Sequence, residues 1–125
     1  MMAMRKNEID AEVRRPDDLD AMVAAPGHHA VMLENDAVRV LDTRVLPGDT
    51  VPLHTHRWPA VHYIQKWSDF IRRDAAGALL LDSRNISPPA VGSVLWSGPS
   101  PAHTLENVGE TELHVVSVEL KNSLR

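Results

Sequence analysis

Leu46-Pro47-Gly48-Asp49-Thr50-Val51-Pro52-Leu53-His54-Thr55-His56 is a turn followed by a strand-like run. Pro47-Gly48 supplies the turn, and an extended chain behind it points every second side chain to one side. A strand here therefore aims His54 and His56 at a common point, about 7 Å apart along the chain. Neutral imidazole is the commonest protein metal ligand, so the pair is half of a metal site and needs a third group from elsewhere. His103, far downstream, is the candidate.

The same texture extends outward. From Ala30 onward short β-rich runs recur, among them Val38 to Leu46, Val61 to Gln65, Phe70 to Arg72, Ala78 to Asp82 and Leu113 to Leu120. Asn35-Asp36, Ala76-Gly77, Pro88-Pro89 and Gly109-Glu110 mark further turns between them. Many short strands at close spacing predict an antiparallel sandwich or barrel, and the alternating helices of an α/β fold are missing. Val115-Val116 and Leu79-Leu80-Leu81 are apolar at consecutive positions, which predicts strands covered on both faces. Ahead of this region, residues 1–15 read as a polar arm and Pro16 to Ala24 as a short helix. Pro16 suits a first helical position, Asp17 and Asp18 oppose the helix dipole, and Leu19, Met22 and Val23 share a face. Pro26-Gly27 stops it. The division is an arm and helix over 1–29 and one β domain over 30–125.

At 125 residues, with 43% apolar and 24% charged residues, the chain fits one soluble domain with one functional centre. No stretch approaches the roughly 20 apolar residues of a membrane span. The polar stretch Met1 to Glu12 has no apolar signal core, so a cytoplasmic location is expected. The absence of cysteine removes disulfides, thiolate metal sites and cysteine nucleophiles, which leaves His, carboxylate or backbone oxygen for any metal. A net charge of −4 lacks the basic excess that binds phosphates, so nucleic acid is not an expected partner.

Gly48, His54 and His56, followed by Gly92, His103 and Asn107, resemble in order and spacing the two signature motifs of the cupin family. The first motif of that family runs Gly-x5-His-x-His-x3,4-Glu-x6-Gly, and the second Gly-x5-Pro-x-Gly-x2-His-x3-Asn. The resemblance covers about Val38 to Leu120 and implies an all-β, single-domain jelly-roll β-barrel preceded by a short helix. It departs from the pattern at the glutamate, which would fall at Ala60 or Val61, and at the closing glycine, near Trp67 or Ser68. In the second motif Gly98 and Ser100 stand at the proline and glycine positions.

The ligands implied by the resemblance are His54, His56 and His103, holding a divalent transition metal: iron(II) by analogy with three-histidine cupins, with nickel, zinc, manganese or copper also compatible with imidazole. Three neutral ligands leave the ion's charge uncompensated, which favours water, hydroxide or a small anionic organic molecule at the open positions. The implied activity is an oxygenase or a Lewis-acid enzyme such as an isomerase, and the alternative is a non-catalytic module that binds a small ligand. Cupins commonly pair, so a homodimer is expected.

His62 lies one residue past the glutamate position; if residue 61 faces the metal, strand alternation turns His62 away and makes it the weakest candidate ligand. Tyr63 and Gln65 share the parity of residue 61 and are read as polar groups of the cavity. Trp58 and Trp96 flank the ligand segments and are read as pocket walls. Arg57 is a candidate partner for a substrate carboxylate, as is Arg44. Asn107 shares the face of His103 and is read as a hydrogen-bonding group at the strand end. His28-His29 follow Pro26-Gly27 and are read as exposed loop residues, and His114 as a structural, hydrogen-bonded histidine.

Overall fold

A computed structural model describes residues 16–121; the segment read as a polar arm lies outside the described residues. The described residues form nine strands: β1 His29–Glu34, β2 Val38–Val45, β3 Thr50–His56, β4 Ala60–Lys66, β5 Phe70–Arg73, β6 Leu79–Asp82, β7 Val94–Ser97, β8 Ser100–Asn107 and β9 Leu113–Leu120. They form a five-stranded sheet in the order β1-β2-β9-β4-β7 and a four-stranded sheet in the order β3-β8-β5-β6. Every neighbouring pair is antiparallel. The chain switches between sheets repeatedly, so residues distant in sequence line one interior, as a jelly roll requires. Among the described residues no helix is long and apolar enough to cross a membrane.

Both glycines of the motifs sit at turns that need a left-handed backbone, Gly48 at φ 81° and Gly92 at φ 87°. The Gly48 turn is tied to the end of β8: its N–H donates to the Asn107 carbonyl, and the Asn107 N–H donates to the Asp49 carbonyl, each at 3.0 Å. These bonds anchor the start of β3 on the end of β8; beyond a register shift after Val51, His54 stands opposite His103.

The expected helix is two shorter pieces, a 3-10 turn at Pro16–Leu19 and one α-turn, α1, at Ala21–Ala24. Asp20 separates them because its carboxylate caps α1, accepting from the Met22 N–H at 3.0 Å. The buried face is Ala21 and Ala25, whereas Val23 is exposed. Small residues are selected here because the turn lies close against β3, where Asp20 bridges Thr55.

Ala25, Val45, Val51, Phe70 and Leu113 form a buried apolar cluster, flanked by Trp67, Leu81, Leu105 and Val115. Each large apolar side chain buried there contributes about 1.5–3 kcal/mol. The expectation that Leu79-Leu80-Leu81 is covered on both faces fails: Leu79 and Leu80 are exposed. β6 is the edge of the four-stranded sheet and only Leu81 turns inward, so an apolar run there marks a strand but not double coverage.

Candidate metal centre and cavity

Four imidazoles meet between the two sheets. His54 and His56 come from β3, His103 from the facing position of β8, and His29 from the first residue of β1. His29, His54 and His56 each bring one ring nitrogen within 4.8 Å of the others. The His103 ring lies 4.4 Å, centroid to centroid, from His54 and 5.9 Å from His56. His29, His54 and His103 are buried.

Their hydrogen bonds fix which nitrogen each ring presents. Nδ1 of His29 donates to the Ala25 carbonyl at 2.9 Å, Nδ1 of His54 to the Pro52 carbonyl at 2.7 Å, and Nδ1 of His103 to the Pro101 carbonyl at 2.7 Å. Nδ1 of His56 donates to the Glu119 carboxylate at 3.0 Å. A carbonyl or carboxylate oxygen can only accept, so all four rings carry a proton on Nδ1 and Nε2 is the nitrogen each can present to an ion. Metal-binding histidines are held in this way, by an acceptor on the other nitrogen that fixes tautomer and ring plane.

Burial first, and then the neighbouring imidazoles among other charges, push His54 down to about 3, and burial pushes His29 and His103 down to about 4. At neutral pH these rings are therefore in the unprotonated form that binds a metal. Glu119 is wholly buried; burial raises its carboxyl pKa, but hydrogen bonds from His56 and Arg39 outweigh this and hold it below the usual range. Arg39 donates from Nε to Glu119 at 2.7 Å and through both terminal nitrogens to Asp20 at 2.9 Å. A chain of paired side chains thus runs from Asp20 through Arg39 and Glu119 to His56.

The histidines border a cavity of about 430 Å³, within the usual range of small-molecule sites. Its floor is the apolar cluster; Trp58, Ile64, Leu95 and Trp96 line its walls, and Arg72, His62 and Ser97 also reach it. Trp58 and Trp96 are among the lining residues. Ala60, His62 and Ile64 are the inward residues of β4, so the predicted parity is inverted. The alternation of His56 continues through Trp58 to Ala60, which places the glutamate position of the motif at Ala60 and not at Val61. Tyr63 consequently points out and is exposed, and Gln65 does not line the cavity.

His62 faces inward but is already engaged, with Nδ1 2.8 Å from Ser117 Oγ and Nε2 2.6 Å from Ser97 Oγ. Arg57 is also outside the lining, its guanidinium 4.5 Å from the Trp58 ring. Arg44 pairs with Asp42 at 2.9 Å on the surface. Asn107 is fully buried below the cavity and spends every polar atom on the fold. Its amide donates to the Val45 and Thr111 carbonyls, and its Oδ1 accepts from Ser68 Oγ and the Gly109 N–H. His114 is bound to Asp42 at 2.6 Å, the structural role expected of it.

Sequence reasoning missed His29 and Arg72. His28 is held by Asp49 at 2.8 Å and is partly exposed, whereas its neighbour His29 opens β1 and turns inward with 4% of its surface exposed. Their place after Pro26-Gly27, ahead of the first strand that the sequence marks at Val38, makes the pair look like loop residues. The apolar run Ala30 to Leu33 was the available signal.

No family model matches the sequence, and no curated protein does either. Solved structures do match. A cupin domain from Bordetella pertussis Tohama I superposes with a TM-score of 0.60 at 21% identity, covering 74% of this chain and 91% of that one. The fold is the cupin fold. An RmlC-like cupin family protein with a double-stranded β-helix fold, from Methanocaldococcus jannaschii, gives a TM-score of 0.53 at 11% identity, with 74% and 77% of the two chains covered. A double-stranded β-helix protein from Klebsiella pneumoniae covers 98% of this chain and 92% of its own, with a TM-score of 0.52 and 17% identity. Within this cupin fold, Ala60 stands where the motif has its carboxylate, and His29 supplies an additional nitrogen from another strand.

Proposed function

We propose that this chain is a metal-binding protein of cupin type, with the ion held by His54, His56 and His103 together with His29, and that it acts on a small anionic organic molecule in the adjoining cavity. The observation that carries this reading is the common orientation of the four rings, each with Nδ1 donating to a fixed acceptor so that Nε2 is the nitrogen available to an ion. Imidazole donors suit iron(II), nickel, zinc and copper, and iron(II) is favoured by the resemblance to three-histidine cupins. An ion bound there would supply a Lewis acid, or with iron(II) a redox centre for an oxygenase. The chain's own contribution is to orient the rings through Ala25, Pro52, Pro101 and Glu119, and to exclude water with Trp58, Ile64 and Leu95. His62, held between two serine hydroxyls, can donate from one nitrogen and accept at the other.

A binding module without turnover is the second reading, favoured by one observation: among the described residues no carboxylate lines the cavity to act as a general base. Metal analysis of the purified chain and of His103→Ala tests the centre. Near-stoichiometric iron, nickel, zinc or manganese in the parent, reduced in the variant, is expected. A parent that takes up none of these ions defeats the proposal. Dioxygen consumption or turnover across a panel of small carboxylic acids then separates enzyme from module. The expected homodimer, supported by exposed Val31, Met32 and Leu33 on edge strand β1, is read from the mass in solution.

A further inference from the structure

Among the described residues Arg72 is the one Arg or Lys side chain in the cavity wall, and no Asp or Glu lines it. It lies on β5 beside Leu105 of β8, the position two residues along the same face from His103. Its Nε is buried without a hydrogen-bond partner, and among the described residues no ion pair or hydrogen bond engages the guanidinium. The guanidinium stands 5.9 Å from the Phe70 ring, an apolar neighbour that offers no counter-charge. Burial lowers the arginine's pKa, and its positive charge depresses both His62 and His103. Arg39, which is buried outright where Arg72 is part-buried, shows what the fold does with a structural arginine: it is paired with two carboxylates.

An unpaired guanidinium in a low-dielectric wall is costly unless something brings the opposite charge. We infer that Arg72 is the receptor for the ligand's anionic group, and that the ligand is an organic monocarboxylate with an apolar body. A carboxylate matches the fork of guanidinium donors. One cation balances one negative charge, and the surrounding walls of Phe70, Leu81, Leu105 and Trp96 favour hydrocarbon over a second charge or a polyhydroxylated body. This deepens the proposed function by placing the carboxylate at Arg72, leaving the histidine end of the cavity to the reacting part of the molecule. It rests on the cavity being a ligand site, as proposed above.

The experiment uses the full chain, stripped of metal by a chelator, titrated calorimetrically with benzoate and with its neutral counterpart benzamide in a buffer free of small carboxylates. The parent is expected to prefer benzoate. Arg72→Met is expected to lose about ten- to a hundredfold in benzoate affinity while benzamide affinity stays unchanged, and Arg72→Lys to fall between. Equal affinity of the parent for both probes, or an Arg72→Met variant that binds benzoate like the parent, overturns the inference. The parent comparison decides even if a variant does not fold, and it is supported by a benzoate-dependent shift of the Arg72 Nε–H resonance. Metal content is measured on the same preparations. A chain that takes up no metal yet shows Arg72-dependent benzoate binding defeats the metal centre and leaves this inference standing; a metal-loaded chain without charge preference does the reverse.

Discussion

His56 donates its Nδ1 proton to Glu119, a carboxylate 63 residues away that is 1% exposed and held on its other side by Arg39. The pairing does two things at once. It fixes the tautomer of a proposed ligand and, by placing negative charge behind the ring, makes Nε2 a better donor. Replacing Glu119 by Gln keeps the shape and removes the charge. Metal affinity is expected to fall about 10–100-fold, read by competition with a chromogenic chelator. Undiminished affinity would show that His56 needs no carboxylate behind it.

His28 and His29 are neighbours with opposite fates, which makes a paired test. His29→Ala is expected to weaken metal binding by more than tenfold, because it removes a nitrogen that lies within 4.8 Å of those of His54 and His56. His28→Ala removes only a contact to Asp49 at the surface and is expected to leave metal content unchanged, at a cost of less than about 1 kcal/mol. Equal metal loading of the two variants would remove His29 from the centre.

Acid should destabilise the metal-free chain before it protonates the carboxylates. In the unfolded chain these imidazoles take a proton near their ordinary value of 6.5; in the fold burial holds His29, His62 and His103 to about 4 and His54 to about 3. Between those values the unfolded state binds more protons, so stability is greatest above pH 6.5 and falls as pH drops toward 4. Urea midpoints measured in chelator at pH 7 and pH 5 check this, and equal midpoints would contradict it. Saturating zinc at pH 7 should raise the midpoint, since an ion bound only by the folded state stabilises it.

Asn107 offers a test of a purely structural role inside a motif. Its side chain satisfies two carbonyls, a hydroxyl and a backbone N–H with no exposure to solvent. Asn107→Ala leaves those groups unpaired in the interior and is expected to cost about 3 kcal/mol, lowering the melting temperature by about 10 °C. A melt indistinguishable from the parent would show that water replaces the amide.

The parts of the site that could be read from the chain were those held by short-range spacing. His54 and His56 follow a glycine turn at fixed distance, and His103 precedes Asn107 by four residues, so local geometry alone constrains them. The inward face of β4 was misread because it depends on how Arg57-Trp58-Pro59 joins two strands in different sheets. A connection one residue longer or shorter inverts every side chain that follows. Val51 and His54 both face the cavity although their parity differs, because the β3–β8 register shifts between them. His29 and Arg72 reach the cavity only through tertiary placement, on strands with no spacing relation to the motifs. Arg72 was also hidden by chemistry: a charged residue beside Arg73 on a short strand reads as surface until the strand's partner is known.

The four histidines belong to β1 in one sheet and to β3 and β8 in the other, with 24 residues between His29 and His54 and 46 between His56 and His103. A chain without cysteine has no covalent means of closing such loops. An ion seated there would act as a reversible rivet joining the two sheets, and each long loop it closed would restrict the unfolded ensemble as a disulfide does. For this protein the supply of metal would then govern how long a copy survives as well as what it does: chains made under metal starvation would unfold and be degraded sooner, and their abundance would follow the ion.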